Sequence, residues 1–435
     1  MATKALATWS VDLNFNSLPD EVVQQAADSF MNWAGCAIGG CNHKAAIIAR
    51  KSIQPFSGPP TSTILGTNES MDAQSAALLN GISSHVHDYD DTHPVTIIHP
   101  TGPVASALLA VAEWKKPVTG EKFLVALVAG IEAECKLGLA VWPDHYDVGW
   151  HITSTTGAIG AAVAVSKILD LDVEATQNAI GIAASQVTGL REQFGSMTKS
   201  FHPGRAAQNG LLAAVMASNG YDSSHQILEA ERGWANVVSK SNELDKQIQS
   251  LGKTWEIKKN EFKQYACGVV LHSVMDACRK LYANCEACCL GSQDFTLVTL
   301  TVNPLVLELT GKKNPRTELE RKFSVYWCAA TMLTLGRVTP EIIEVKVDEE
   351  KSIRQAHVHV YLEGNDIPNV YSSTESLGDD PNFDLKEKFL DQSEELLGLD
   401  TATEIADACE QLEKLADVAE LAALMRPKEW YTDSD

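Results

Sequence analysis

Four of the twelve histidines and three aspartates fall within fifteen residues, in the run His85-Val86-His87-Asp88-Tyr89-Asp90-Asp91-Thr92-His93, closed by His99 ahead of Pro100-Thr101-Gly102-Pro103. Imidazole and carboxylate are the ligands of catalytic zinc and non-haem iron. They are equally the groups that move protons near neutral pH. The spacing contains no H-E-x-x-H helix motif. The reading taken is a metal-free acid/base site, with a metal centre and a purely structural role as its alternatives.

Three further clusters carry chemistry. Gly149-Trp150-His151-Ile152-Thr153-Ser154-Thr155-Thr156-Gly157 sets one histidine and small hydroxyls ahead of an Ala-rich helix. The N–H groups and dipole of such an N-terminus attract a carboxylate, while capping by Thr153 or Ser154 is the plainer reading. In Thr198-Lys199-Ser200-Phe201-His202-Pro203-Gly204-Arg205, three cationic or potentially cationic groups bracket another helix start. Lysine would fix an anion as a compact point charge and Arg205 would grip a carboxylate with two parallel hydrogen bonds; a solvated basic turn is the alternative. In Phe262-Lys263-Gln264-Tyr265-Ala266-Cys267-Gly268, followed by His272, the cysteine and histidine are five residues apart and so off a common helix stripe. Cys267 therefore reads as a packed small residue rather than a nucleophile. Cys278, Cys285, Cys288 and Cys289 include an adjacent pair, which fits no common iron–sulfur spacing.

The elements that must hold these groups change character along the chain. From Leu18 to about residue 284 the apolar residues recur at helical spacing, as in Val22, Val23, Ala26, Phe30 and Trp33, with further helices at 72–84, 103–115, 121–141, 153–169, 173–188, 205–219 and 267–284. After Gly291 the period becomes two: Val298, Leu300 and Val302; Ile343, Val345 and Val347; Val358, Val360 and Leu362. These predict three strands, with a helix over 318–335 between the first two. The stretch 364–383 reads as a surface loop, and 392–425 returns to helical spacing. The predicted fold is mainly α with an α+β part: a large helical domain over 1–265, a smaller α+β domain over 266–391, and C-terminal helices over 392–435 that rejoin the helical domain.

The composition, with 45% hydrophobic and 21% charged residues in 435, is that of a globular chain. Thirty-five basic against 57 acidic residues leave a net charge of −22, which argues against nucleic acid and anionic membranes as partners. An anionic substrate must then be met by cations concentrated in one place. No apolar run reaches the length of a membrane span. The N-terminus shows neither a signal nor a transit pattern, and ten cysteines without a framework spacing fit a reducing compartment, so the cytoplasm is the expected location.

The run His87-Asp88-Tyr89-Asp90-Asp91-Thr92 with His99-Pro100, the run Thr198-Lys199…His202…Gly204-Arg205-Ala206-Ala207…Gly210, the run Lys263…Tyr265-Ala266-Cys267…His272, and Glu320-Arg321-Lys322-Phe323-Ser324 resemble, in order, the successive motifs of the MmgE/PrpD family. That family includes 2-methylcitrate dehydratase, cis-aconitate decarboxylase and an iminodisuccinate epimerase. The resemblance implies a homodimer, a helical domain with an α+β lid, and a cleft between them that works without metal or other cofactor. It also implies an active site containing Asp88, Thr92, His99, His151, Lys199, Lys263 and Tyr326.

The chemistry these activities share is the making or quenching of negative charge on carbon beside a carboxylate. In the expected mechanism His99 and His151, with Asp88, move the proton. Lys199 and Lys263, with Thr92, Arg205 and Tyr326, hold a di- or tricarboxylate. Dehydration of 2-methylcitrate or a longer alkylcitrate is the reading preferred at this level, with cis-aconitate decarboxylation as runner-up. Epimerisation of a dicarboxylic acid and non-catalytic metabolite binding are the other readings.

Overall fold

A computed structural model describes residues 1–287, 295–334, 342–362, 369–374 and 383–427. The chain divides into two units. One comprises Met1–Gln193, Met197–Phe262 and Asp384–Asp435; the other comprises Phe194–Ser196 and Lys263–Phe383. The divisions fall at 262/263 and 383/384, where the sequence reading has 265/266 and 391/392.

The first unit is helical. Its elements are α1 (Ala2–Asp12), α2 (Asp20–Gly40), α3 (Lys44–Ile53), α4 (Ala73–His85), α5 (Thr101–Lys115), α6 (Gly120–Val141), α7 (Asp144–Val148), α8 (Ile152–Ile168), α9 (Val173–Ala184), α10 (Met197–Ser218), α11 (Trp234–Val238) and α12 (Leu244–Gln249). A two-stranded antiparallel ribbon, β1 (Ser62–Thr63) with β2 (Ser70–Met71), lies between α3 and α4. At the centre is α8, whose residues from Ile152 to Ser166 are all buried. A helix made of Ala, Gly, Val and small hydroxyls all round has no polar face to offer water and must be surrounded. Helices α5, α6, α9 and α10 surround it.

Two departures from the sequence reading bear on the site. Helix α10 begins at Met197, not near 205, because Pro203 is accommodated inside the helix instead of breaking it. Lys199 and His202 therefore project from a helix rather than a turn. The helix read over 173–188 ends at Ala184, which frees 185–189 to fold back toward the start of α8.

Close approach of α4 and α10 is set by two glycines. A Cβ on Gly81 would stand 2.5 Å from the Gly204 Cα, and one on Gly204 would stand 2.3 Å from the Leu78 carbonyl oxygen. Backbone meets backbone there, which only glycine permits. The C-terminal end of α4 is thereby brought beside the N-terminal half of α10.

The second unit holds α13 (His272–Ala287), α14 (Pro304–Thr310), α15 (Glu318–Arg321), α16 (Val325–Thr334) and a four-stranded sheet. The strands β3 (Phe295–Val302), β4 (Ile343–Val347), β5 (Gln355–Leu362) and β6 (Asn369–Thr374) are ordered β4-β3-β5-β6. β3 runs parallel to β4 and antiparallel to β5, in register Val298↔Ile343 and Val298↔Val360. The alternation predicted from sequence is realised: Val298, Leu300, Val302, Val358 and Val360 are buried with residues of α13 and α16, whereas His357 and His359 occupy the other face. The expected loop over 364–383 instead contains β6, paired with β5. The helix expected over 318–335 is two, α15 and α16, broken at Lys322–Ser324. The remaining elements, α17 (Leu385–Leu397), α18 (Leu399–Glu410) and α19 (Val418–Leu424), belong to the first unit, where α17 and α18 pack on α2 and α19 on α5.

Candidate active site

The loop from Val86 to Pro100 joins α4 to α5 and carries most of the site. It is held at three places. Asp91 Oδ2 accepts from Thr101 Oγ1 at 2.5 Å and from Asn260 Nδ2. Thr92 exchanges backbone hydrogen bonds with Glu261 at 2.9 and 3.0 Å. Lys388 on α17 donates to the Tyr89 carbonyl at 2.9 Å and to Asn32 Oδ1 at 2.7 Å. Within the loop Asp88 has φ +52° and Ile97 φ +58°, both in the left-handed region. For a β-branched residue such as Ile97 that conformation is strained, at a cost of about 1–3 kcal/mol, and persists only where surrounding structure enforces it.

The loop and its flanking helices gather a connected set of buried polar groups. Asp90 Oδ2 lies 2.7 Å from His85 Nδ1, and His85 Nε2 lies 2.8 Å from Lys199 Nζ. Lys199 Nζ also donates to Asp88 Oδ1 at 3.1 Å. His99 Nε2 is 3.7 Å from the same Asp88 oxygen, and its Nδ1 is 3.4 Å from Asp90 Oδ1. His99 Nδ1–H donates to the Asp91 carbonyl at 2.9 Å, with Thr92 Oγ1 at 3.3 Å, and the His99 backbone N–H donates to Thr153 Oγ1 on α8 at 3.1 Å. Because a carbonyl only accepts, His99 Nδ1 carries a proton, and Nε2, facing Asp88, is the nitrogen that gains or gives up a second one. The His85 ring centroid is 4.7 Å from that of His99 and 5.9 Å from that of His151. His151 in turn meets His202, Nδ1 to Nδ1, at 2.9 Å.

Burial and local charge set the protonation of this cluster. Burial pushes His151 well below the ordinary histidine value, and the neighbouring His202, Lys199, His85 and His99 push the same way. His151 is also the N-cap residue of α8, where the positive end of the helix disfavours an imidazolium. Burial, His85 and Lys199 bring His202 down to about 4. Burial and Lys199 lower His85 against the opposing pull of Asp90 and Asp88. Asp91 is pushed up to about 6 by burial, against the hydrogen bonds from Asn260 and Thr101.

One ligand atom from each of His85, Asp88, Asp90 and His99 lies within 4.8 Å of the others, a donor set a divalent cation would accept in kind. Lys199 does not fit that use. Its ammonium is hydrogen-bonded to two of the four, so an added dication would stand against a cation already at the site.

Of the sequence-predicted residues, the structure brings together Asp88, Thr92, His99, His151 and Lys199. Arg205 is not among them: it is exposed on α10, with Nη1 donating to Gln208 Oε1. Six residues from Lys199 on a helix of 3.6 residues per turn, it points about 120° away from the lysine. Lys263 is the first residue of the following stretch of the second unit and is buried. Tyr326, on α16 in that unit, is half-buried against its core, with Lys313 Nζ 5.7 Å from its ring.

Two histidines were underrated by sequence reasoning. His85 reads as structural by type, yet it stands between Asp90 and Lys199. The available signal was its position as the last residue of α4, directly before the Asp88–Thr92 run. His202 counts in the sequence reading only as one of three potentially cationic groups at a helix start, with no role of its own; with α10 extended to Met197, its three-residue spacing from Lys199 puts both on one face. His93 and His145 serve the fold instead. His93 bonds Thr96 Oγ1 and Glu256, and His145 bonds Thr155 Oγ1 and the Val238 carbonyl. Cys267 and Cys278 are buried thiols: a hydrogen bond with Cys328, then burial, raises Cys267, and burial raises Cys278 above the range of any reactive thiol. Cys288 and Cys289 lie outside the described residues, as does the Cys285 side chain.

A helical unit carrying this cluster, joined to an α+β unit, defines a class of protein, and the chain belongs to the MmgE/PrpD family. The model of the MmgE/PrpD N-terminal domain matches residues 4–247 and that of the C-terminal domain residues 265–363. Among curated proteins the chain is 26% identical to the cis-aconitate decarboxylase-like protein oryM of Aspergillus oryzae, over 97% of each chain. It is 27% identical to the cis-aconitate decarboxylase of Homo sapiens, over 98% of this chain and 94% of that one. With the cis-aconitate decarboxylase of Aspergillus terreus it shares 27% identity over 64% of this chain and 60% of that one. Among the described residues no helix is long and apolar enough to cross a membrane.

Proposed function

We propose that this chain is a metal-independent lyase that decarboxylates cis-aconitate or a closely related unsaturated tricarboxylate. The observation that carries the reading is the buried Lys199 ammonium, gripped by Asp88 and His85 beside three further imidazoles. In a chain of net charge −22, this is a place prepared for a carboxylate and for proton transfer next to it. The relatives named above, two of them matched over nearly the full length, favour decarboxylation over the dehydration preferred from sequence.

Lys199 holds a substrate carboxylate. The carbon–carbon bond to a second carboxylate breaks and CO₂ leaves; the electron pair stays on carbon, delocalised through the conjugated double bond into the remaining carboxylate. Lys199 offsets that charge as it develops, which lowers the barrier only because the contact strengthens in the transition state. An imidazole then delivers a proton to the carbanion. One proton is consumed and one CO₂ released per turnover. His99 and His151 are the candidate donors, Asp88 orients Lys199 and His99, and Thr92 positions His99. Lys263 enters the reading as a second carboxylate anchor through its family motif.

Proton NMR of the purified, chelator-treated protein in D₂O tests this. Itaconate-type methylene signals from cis-aconitate support it. Vinyl signals arising from citrate or 2-methylcitrate would replace it with the dehydratase reading, which the same cluster could serve by protonating a leaving hydroxyl. Silence from all acids would refute both.

A further inference from the structure

His151 presents a chemical difficulty. A histidine held neutral by burial and by four neighbouring cationic or potentially cationic groups is a poor acid, since giving up its only N–H would leave an imidazolate. The His151–His202 contact resolves it. At 2.9 Å between the two Nδ1 atoms, two bare nitrogens would repel and two N–H groups would collide, so a single shared hydrogen lies between them. With both rings neutral the pair has two arrangements. In the first, His202 Nδ1–H donates to His151 Nδ1, and His151 carries its own hydrogen on Nε2. In the second, His151 Nδ1–H donates to His202 Nδ1, and His202 carries its hydrogen on Nε2.

The surrounding chain holds both rings in place. The His151 backbone N–H donates to the Gly189 carbonyl at 3.0 Å. Gly189 has φ +97°, and a Cβ there would lie 3.2 Å from Cγ and Nδ1 of His202. Ser154 Oγ donates to the His202 carbonyl at 3.1 Å and contacts Thr188 Oγ1 at 3.0 Å. The groups facing the pair are His85, His99 and Lys199 around His151, and His85 and Lys199 around His202.

We infer that His151 and His202 form a two-imidazole proton relay, in which His202 is a positioning residue that makes neutral His151 a competent acid. As His151 Nε2–H passes to the carbanion, the shared hydrogen crosses from His202 Nδ1 to His151 Nδ1, and His202 Nε2 takes a proton from water. No imidazolate and no imidazolium accumulates. When product has left and water reaches His151, a proton returns to its Nε2, the shared hydrogen moves back, and His202 Nε2 releases its own. The net change is one proton from water onto carbon, with the hydroxide left released to solvent. The inference rests on the lyase reading, which is what requires a proton at carbon in each turnover.

The test has two independent parts. In ¹⁵N-histidine NMR of the substrate-free protein, the shared hydrogen gives a nitrogen–nitrogen coupling between the two Nδ1 atoms, absent in His202→Asn; a wild-type spectrum without it overturns the relay whatever the enzyme turns over. For kinetics, His202→Asn can still hold a hydrogen bond to His151 but cannot pass a proton through. Its kcat should fall roughly tenfold to a hundredfold with KM nearly unchanged. His202→Ala should fall likewise and recover with added imidazole, a rescue that a structural role would not show. Full kcat in His202→Asn, or no rescue of a folded His202→Ala, overturns the relay. Failure of wild type to process any acid refutes the lyase reading instead, and the spectrum then decides whether the pair exists.

Discussion

His85 Nε2 accepts a hydrogen bond from Lys199 Nζ at 2.8 Å, so the imidazole is neutral there and its proton sits on Nδ1, directed at Asp90 Oδ2 2.7 Å away. Carboxylate, imidazole, ammonium and a second carboxylate, Asp88, thus alternate along one line. Each partner fixes the protonation state of the next, which is how a buried cation is held at a set position without a solvent shell.

Asp90 is consequently expected to matter without touching substrate. Asp90→Asn keeps the shape but can turn its amide N–H toward His85 and shift the imidazole proton to Nε2, where it would oppose Lys199. A loss of roughly 10- to 100-fold in kcat is expected, by analogy with second partners of metal-bound histidines, with a melting temperature near that of wild type. Steady-state kinetics with calorimetry checks it; unchanged kcat would remove Asp90 from the line.

Lys199→Ala removes a charge-assisted contact that strengthens in the transition state, and it leaves Asp88 and His85 without their donor. KM should rise, kcat should fall, and kcat/KM should drop by about 10- to 100-fold, the equivalent of a charged hydrogen bond of about 1.5–3 kcal/mol. Lys263→Ala is expected to behave in the same way. Arg205→Ala, exposed and bonded to Gln208, should leave the kinetics unchanged. Measuring all three together separates the anchors from the bystander.

How much of this was legible in sequence follows from what periodicity can and cannot encode. Apolar residues at helical spacing, or in near-continuous small-residue runs as in α8, located α2, α4, α5, α6 and α8 within a few residues, and period-two alternation located β3, β4 and β5. Strand β6, Asn369–Thr374, has a short Ser- and Thr-rich sequence without apolar alternation, which reads as loop. Pro203 disguised the first two turns of α10, and with them the shared face of Lys199 and His202. The Asp88, Thr92 and His99 assignments came from motif resemblance. The part played by His85 depends on a crossing of two helices at Gly81 and Gly204, a long-range relationship that no local pattern records.

Each histidine buried in its neutral form contributes a loss of stability on acidification. His145 and His202 are both lowered to about 4 by burial from the ordinary histidine value of 6.5. Between those values the unfolded chain binds protons that the folded one does not, so each group's contribution is full above pH 6.5 and is lost as pH falls toward 4. Each is worth up to roughly 3 kcal/mol across that window. Asp91 and Glu132, raised to about 6 and about 8, act in the opposite sense. His145 lies outside the proposed chemistry, so His145→Gln isolates the effect. Denaturant unfolding at pH 7 and pH 5 should show a smaller difference in this variant than in wild type, and an equal difference would contradict the buried neutral state of His145.

Gly81 offers a way to separate the two helices without altering any charged group. An alanine Cβ there would meet the Gly204 Cα at 2.5 Å, well inside van der Waals contact, and the obstruction is backbone that cannot rotate aside. Helices α4 and α10 must move apart, and the 2.8 Å bond from Lys199 to His85 lies near that crossing. Gly81→Ala is expected to cost about 1–3 kcal/mol of stability through overpacking, and to lower kcat even where the protein remains fully folded. Gly220→Ala serves as the comparison, since its φ of +86° imposes strain while nothing lies within 4 Å of the added methyl. It should lower the melting temperature but leave kcat intact. Equal effects of the two substitutions on kcat would show that the spacing of α4 and α10 does not set the position of Lys199.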